Sequence, residues 1–111
     1  MNEIDLRGII PAIVTPMTHA AELDLPALRH YVDWLADQGP VALAVNVDTG
    51  EGPHLTADEK RQTLETVADV VSGRCKVVGG VAGPSTAQGV ANARAARDAG
   101  ADALLVFPIP A

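Results

Sequence analysis

Apolar residues fall along this chain in four short, nearly continuous runs, at residues 8–14, 41–47, 76–81 and 103–107. They read Gly-Ile-Ile-Pro-Ala-Ile-Val, Val-Ala-Leu-Ala-Val-Asn-Val, Lys-Val-Val-Gly-Gly-Val and Ala-Leu-Leu-Val-Phe. Each is aliphatic or β-branched and shows little alternation with polar positions. That is the pattern of parallel strands covered on both faces, whereas a half-exposed antiparallel strand alternates.

Helical periodicity fills the gaps. From about Leu25 to Asp37, Leu25, Leu28, Val32 and Leu35 share one face; Asp24 stands at the N-cap and Gly39 supplies a left-handed stop. Thr56-Ala57-Asp58-Glu59 is a capping box, followed by an inner stripe of Leu64, Val67, Ala68 and Val71 and ended by Gly73. Ser85-Thr86-Ala87-Gln88 is read as a second box, opening a helix that carries Val90, Ala93 and Arg97 and ends near Gly100. Its many alanines suggest close packing of helix on sheet. The order is β-α-β-α-β-α-β, with roughly 30–35 residues per repeat. Such alternation predicts an α/β fold with a parallel sheet and right-handed crossovers. Two completions exist: an open doubly wound sheet, or a (β/α)8 barrel, which needs about 250 residues. The chain stops at Pro108-Ile109-Pro110-Ala111, just after a strand, where a helix should follow. We therefore expect residues 1–111 to form one partial domain, the N-terminal half of a TIM barrel.

Composition narrows the partners. Eight Lys and Arg stand against 14 Asp and Glu, a net charge of −6, and no basic patch or stripe is present for nucleic acid. Aromatics make up 3%, so the core is aliphatic. No apolar run approaches the roughly 20 residues of a membrane span. The start, Met1-Asn2-Glu3-Ile4-Asp5, lacks the basic, apolar character of a leader, and a cytoplasmic protein is expected. Cys75 is the single cysteine and permits no internal disulfide. His19, His30 and His54 have no partner at metal-ligand spacing, so no metal is expected.

In parallel α/β folds, ligands sit at the carboxyl ends of the strands. The richest such end is Asn46-Val47-Asp48-Thr49-Gly50-Glu51, which offers a hydroxyl, a glycine and backbone amides suited to a small carboxylate or phosphate. An ordinary turn, with Asp and Thr satisfying their own backbone, is the competing reading. Gly79-Gly80-Val81-Ala82-Gly83 lacks both G-x-G-x-x-G spacing and a P-loop lysine, and reads as tight strand-end geometry. This counts against an open-sheet nucleotide binder. The two lysines, Lys60 and Lys76, fall on an outer helix and at a strand's amino end, away from the face where a Schiff-base lysine is needed. Tyr31 and Trp34 are expected to pack on a neighbouring helix or another subunit.

Four pieces of the chain, in order, resemble one family. Residues 8–17, Gly-Ile-Ile-Pro-Ala-Ile-Val-Thr-Pro-Met, are similar to the first strand of the dihydrodipicolinate synthase and N-acetylneuraminate lyase family. Thr49-Gly50-Glu51 with Leu55-Thr56-Ala57-Asp58-Glu59-Lys60 resembles its second-strand motif and helix start. Val77-Val78-Gly79-Gly80-Val81 and Ala99-Gly100-Ala101-Asp102-Ala103 resemble the third strand and the approach to the fourth. The resemblance implies a (β/α)8 barrel, usually tetrameric. It implies a class I aldolase or dehydratase that needs no cofactor and acts on pyruvate-type or sugar-derived α-keto acids. The family's Schiff-base lysine and proton-transferring tyrosine come from later strands, beyond Ala111. Carried over by motif, Thr49 holds the substrate carboxylate through hydroxyl and amide. Gly50 admits the backbone, Ala12 and Thr15 join from the first strand, and Glu51 orients the loop. Two positions depart from the pattern. Asp48 stands where a Thr or Ser hydroxyl relays a proton, and Ile109 and Pro110 follow Pro108 where the synthases carry tyrosines. These departures favour a keto-acid lyase or sugar-acid dehydratase over dihydrodipicolinate synthesis itself. The competing expectation is a non-catalytic half-barrel that binds a small carboxylate or assembles with another chain.

Overall fold

The computed structural model describes residues 3–108. Among them, three α-helices alternate with three strands. In chain order these are α1 (Leu25–Asp37), β1 (Ala42–Val45), α2 (Ala57–Val71), β2 (Lys76–Val81), α3 (Thr86–Asp98) and β3 (Ala103–Val106). The strands form a single parallel sheet in the order β1-β2-β3. Ala42 lies opposite Lys76 and Val45 opposite Gly79, while Val78 pairs with Ala103 and Val81 with Val106.

The helices begin where their caps dictate. The Asp24 carboxylate accepts from the Ala27 amide at 3.0 Å, and Pro26 occupies the first turn of α1, where its missing N–H leaves no bond unmade. Both halves of the Thr56/Glu59 box form, at 2.9 and 3.1 Å. The box expected at Ser85 is only half made. Ser85 takes the Gln88 amide at 3.2 Å, but the Gln88 side chain bonds Asn92 at 2.9 Å instead of reaching back.

Side chains alternate across the sheet. Leu43, Val45, Val77 and Val81 meet Leu28, Val32, Leu64, Val67, Val71, Ala96 and Ala99 in the main core. Ala42, Ala44 and Val78 belong to a smaller cluster with Val47. On α3 the buried position is Ala96, with Ala93 partly covered, and Val90 stays 45% exposed. Alanines are needed because α3 rides close over β2. A Cβ on Gly79 would lie 3.3 Å from that of Ala101 and 3.4 Å from that of Ala96.

Two of the four apolar runs are not covered as expected. Residues 8–14 run beside β1 as an extended segment held by one parallel bridge, Ala12–Ala44. The bonds are Val41 N to Ile9 O (3.1 Å), Ala44 N to Pro11 O (2.9 Å) and Ile13 N to Ala44 O (3.0 Å). Pro11 turns its carbonyl toward β1 and has no N–H to give on that side, so the pairing there stays a single bridge. Ile13 is fully buried, yet Ile9 is 78% and Val14 49% exposed. At the opposite edge Val106 is 65% exposed. Middle strands have neighbours on both sides; these two have one each. Tyr31 packs against the main core, whereas Trp34 stays on the outer face of α1, mostly exposed. The expectations for Ile109, Pro110 and Ala111 lie outside the described residues.

Candidate functional site

Because the strands are parallel, the loops following residues 14, 45 and 81 emerge at one edge of the sheet. The second of these is the most elaborate. After β1 the chain stays buried through Asn46 and Val47, and Asn46 turns it with a left-handed φ of 62°. Asn tolerates this conformation better than most side chains. Its amide nitrogen donates to the Lys60 carbonyl at 3.1 Å, tying the loop to the first turn of α2. Gly52 and Gly80 press on the Asn46 carbonyl, and a Cβ on Gly80 would lie 2.5 Å from its oxygen. Gly80, near the end of β2, thus serves close packing, as the reading of tight strand-end geometry expects.

Asp48–Gly50 then forms a short 3-10 turn and Gly52–His54 a second. The Val47 carbonyl accepts from both Gly50 (3.0 Å) and Gly52 (3.1 Å), and Asp48 accepts from Glu51 at 2.9 Å. Glu51 takes a left-handed φ of 59°, which lets the two turns join.

The first segment locks the turn from the side. The Thr15 hydroxyl donates to the Gly50 carbonyl at 2.7 Å, in a buried setting. A Cβ on Gly50 would come 2.9 Å from the Ile13 carbonyl oxygen, so only glycine fits this approach without a shift. Thr15 and Gly50 are therefore brought together, with Asp48 and Thr49 on the exposed side of the same turn. Ala12 stands opposite Ala44, two residues before the chain turns at Asn46.

Among the described residues, the amides of Asp48 and Thr49 and the Thr49 hydroxyl make no hydrogen bond to protein atoms. A helical turn always leaves its first amides in this condition. Neither Asp48 nor Glu51 forms an ion pair with a described residue. The arrangement offers donors to a small anion and places one uncompensated carboxylate beside them. It has no amine for covalent chemistry. Lys76 is exposed at the amino end of β2. Lys60 is half-buried in the helix layer, where it lines a cavity of about 250 Å³ between α2 and α3 with Asn46, Gln88 and Asn92. Burial pushes the Cys75 thiol above its ordinary pKa, a poor setting for a nucleophile. No group of three or more His, Cys, Asp or Glu among the described residues could hold a metal.

This fold recurs in known proteins. The model of the Dihydrodipicolinate synthetase family matches residues 5–108. The chain belongs to this family. It is 42% identical over 105 residues to the 4-hydroxy-tetrahydrodipicolinate synthase of Salinibacter ruber, covering 95% of this chain and 35% of that protein. It is 41% identical over 100 residues to the enzyme of the same name from a Jannaschia species, covering 90% and 34%. The crystal structure of the chloride-inhibited dihydrodipicolinate synthase of Acinetobacter baumannii, complexed with pyruvate, superposes with a TM-score of 0.92 at 31% identity. That superposition covers 96% of this chain and 37% of the other. The chain thus spans about a third of the length of these family members and has the fold of part of their (β/α)8 barrel.

Asn46 is the rim residue that sequence reasoning left without a role. The structure gives it the turn, the tie to α2 and the packing surface for two glycines. The signal was present: an asparagine ending an apolar strand ahead of a glycine-rich turn marks a left-handed position. Among the described residues no helix is long and apolar enough to cross a membrane.

Proposed function

We propose that this chain supplies the substrate-carboxylate seat of a Schiff-base lyase of the dihydrodipicolinate synthetase family, acting on pyruvate-type or sugar-derived α-keto acids. The observation that carries the proposal is the free donor set of the 48–50 turn. Two adjacent amides and the Thr49 hydroxyl lack partners among the described residues, in a loop that the Thr15–Gly50 bond holds in place. A keto acid's carboxylate accepts several such bonds at once, and hydrogen bonds to a charged group contribute about 1.5–3 kcal/mol each. Pyruvate bound to a structural relative supports the ligand class. Gly50 lets the chain pass close to the first segment, and Thr15 fixes the turn's height. Neither Lys60 nor Lys76 stands at this rim, so the lysine forming the Schiff base belongs to sequence other than these 111 residues. Chemistry requires that lysine to meet a keto carbon whose carboxylate the turn already holds, which is catalysis by positioning.

Incubation with pyruvate and borohydride, followed by mass spectrometry, tests the reading. The 111-residue chain gains no hydride-stable adduct. A polypeptide of the relatives' length that carries this segment gains one, on a lysine other than Lys60 or Lys76. An adduct on either of those two would overturn the assignment. Thr49→Val in the longer polypeptide weakens pyruvate binding about tenfold, the loss of one bond to a charged group.

The exposed edge at β3 favours a second reading, a non-catalytic partial barrel that assembles with another chain. The size of the native polypeptide in its source separates the two. A species near 111 residues supports assembly, and one about three times longer supports the lyase.

A further inference from the structure

Asn46 breaks two local rules at once. It stands just past β1 with a left-handed φ of 62°, on a residue only 5% exposed. Its buried side chain is half satisfied. The amide nitrogen donates to the Lys60 carbonyl at 3.1 Å, while Oδ1 has no hydrogen-bond partner among the described residues. Glycine would take this φ at no steric cost and would bury no orphan oxygen. Fold stability alone therefore does not call for asparagine here. What glycine lacks is the bond to Lys60, and that bond has a particular place. It anchors the chain to α2, three residues ahead of Thr49. The Thr15 hydroxyl anchors it to the first segment, one residue beyond Thr49. Between them the Val47 carbonyl accepts from Gly50 and Gly52 and closes the turn. The free amides of Asp48 and Thr49 thus lie between two side-chain anchors that reach different elements.

We propose that Asn46 is a positioning residue for the keto acid. Through the Lys60 carbonyl it sets where the 48–50 turn stands against α2, and so where the keto carbon of a bound ligand meets the Schiff-base lysine. This rests on the reading of the turn as the carboxylate's seat. Asn46 itself touches no substrate. The donors stay on the turn without it, so affinity for a carboxylate is largely kept. What is lost is alignment, and a misplacement of about 1 Å slows a reaction between oriented groups by up to about 100-fold. Binding and rate therefore part company. Removing a donor at Thr49 weakens binding, whereas releasing Asn46 slows the step that follows binding.

The test follows borohydride trapping of pyruvate by the longer polypeptide that carries this segment, across pyruvate concentrations, beside urea unfolding. Asn46→Gly permits the same φ and removes the tie. Its maximal trapping rate falls at least about tenfold, and its half-saturating pyruvate concentration changes less than about threefold. Its urea midpoint stays close to that of the unsubstituted protein. Asp24→Ala, which removes the cap of α1, does the reverse: the midpoint falls and the trapping rate is unchanged. Asn46→Asp gives a second signature. Ionised, the introduced carboxylate has no donor for the Lys60 carbonyl; protonated, it donates through its O–H. Burial raises its pKa, so the deficit relative to the unsubstituted protein narrows as pH falls from about 8 to about 5.5. An unchanged maximal rate in Asn46→Gly, or a loss no larger than its loss of folded protein, overturns the proposal. If that variant does not fold, a pH-independent deficit in Asn46→Asp, or none, overturns it. Thr49→Val separates this from the underlying reading. If it leaves pyruvate saturation unchanged while Asn46→Gly slows trapping, the role of Thr49 is wrong and that of Asn46 stands. If Thr49→Val weakens binding while Asn46→Gly leaves the rate intact, the seat stands and the positioning role falls. If the unsubstituted polypeptide traps no pyruvate, both fail.

Discussion

A methyl group added at Gly80 would lie 2.5 Å from the Asn46 carbonyl oxygen, and that carbonyl is already pinned by Gly52 on its other flank. Backbone opposes backbone there, so no side chain can swing aside. Gly80→Ala is expected to cost about 2 kcal/mol, as overpacked sites do, and urea unfolding would read it as a lower midpoint. Thr15 is critical for a different reason. Its hydroxyl is the buried partner of the Gly50 carbonyl. Thr15→Val keeps the volume but leaves that carbonyl unpaired, a loss of about 1–3 kcal/mol. Faster amide exchange around Gly50 would accompany it. These residues also show how far the site could be read in advance. Asp48, Thr49 and Gly50 announce themselves, because hydroxyl, glycine and acid follow an apolar run. The Thr15–Gly50 bond joins residues 35 apart in sequence, and no local periodicity encodes it. The pairing of Ala12 with Ala44 is likewise a matter of register that no local pattern encodes.

At the scale of elements, the helices were legible because their signals are local. Asp24, Thr56 and Ser85 each cap the helix they precede, and Gly39, Gly73 and Gly100 each take positive φ just past a helix end. Coverage of the outer strands was not legible, since an apolar run looks the same whether or not a neighbour covers it. The start of α2 gathers acid and base side by side. Arg61 pairs with Asp58 at 2.6 Å and Glu65 at 3.0 Å, and Gln62 also donates to Asp58 at 2.7 Å. The Arg61 bond, and then that of Gln62, holds the Asp58 carboxyl below its ordinary pKa. A depressed folded-state pKa means stabilisation that is complete above the unfolded value, near pH 4, and is lost as pH falls through the lower folded value. Asp58→Asn should therefore lower stability modestly above about pH 4, pH 7 included, and converge with the unsubstituted protein as pH falls, which flattens the acid limb, as chemical unfolding against pH would show. Thr56→Ala, which removes the buttress of the capping box, is expected to cost about 1 kcal/mol, visible as faster exchange in the first turn of α2.

For the whole molecule, the decisive fact is that a sheet built for burial ends on two uncovered edges. Leu104, Leu105 and Val106 are 39%, 41% and 65% exposed, and Ile9 is 78% exposed on the far side. Behind β3, Val90, Ala93, Ala101 and Leu104 line an open apolar groove of about 310 Å³. Unpaired strand edges with apolar side chains recruit further strands, and no lysine or arginine within β3 opposes this. The net charge of −6 provides general repulsion, but at physiological ionic strength it is screened over about 8 Å, whereas edge pairing acts on contact. Contact therefore prevails, and the 111-residue chain on its own should self-associate at micromolar concentration, with light scattering reporting species heavier than 11.5 kDa. Val106→Lys places a charge on the most exposed residue of that edge and should shift the population toward monomer, because extending the sheet would then bury an unpaired ammonium. A clean monomer in the unsubstituted chain would show that the edges are protected. Self-association that Val106→Lys leaves unchanged would move the contact to the opposite edge, where Ile9→Lys is the corresponding substitution.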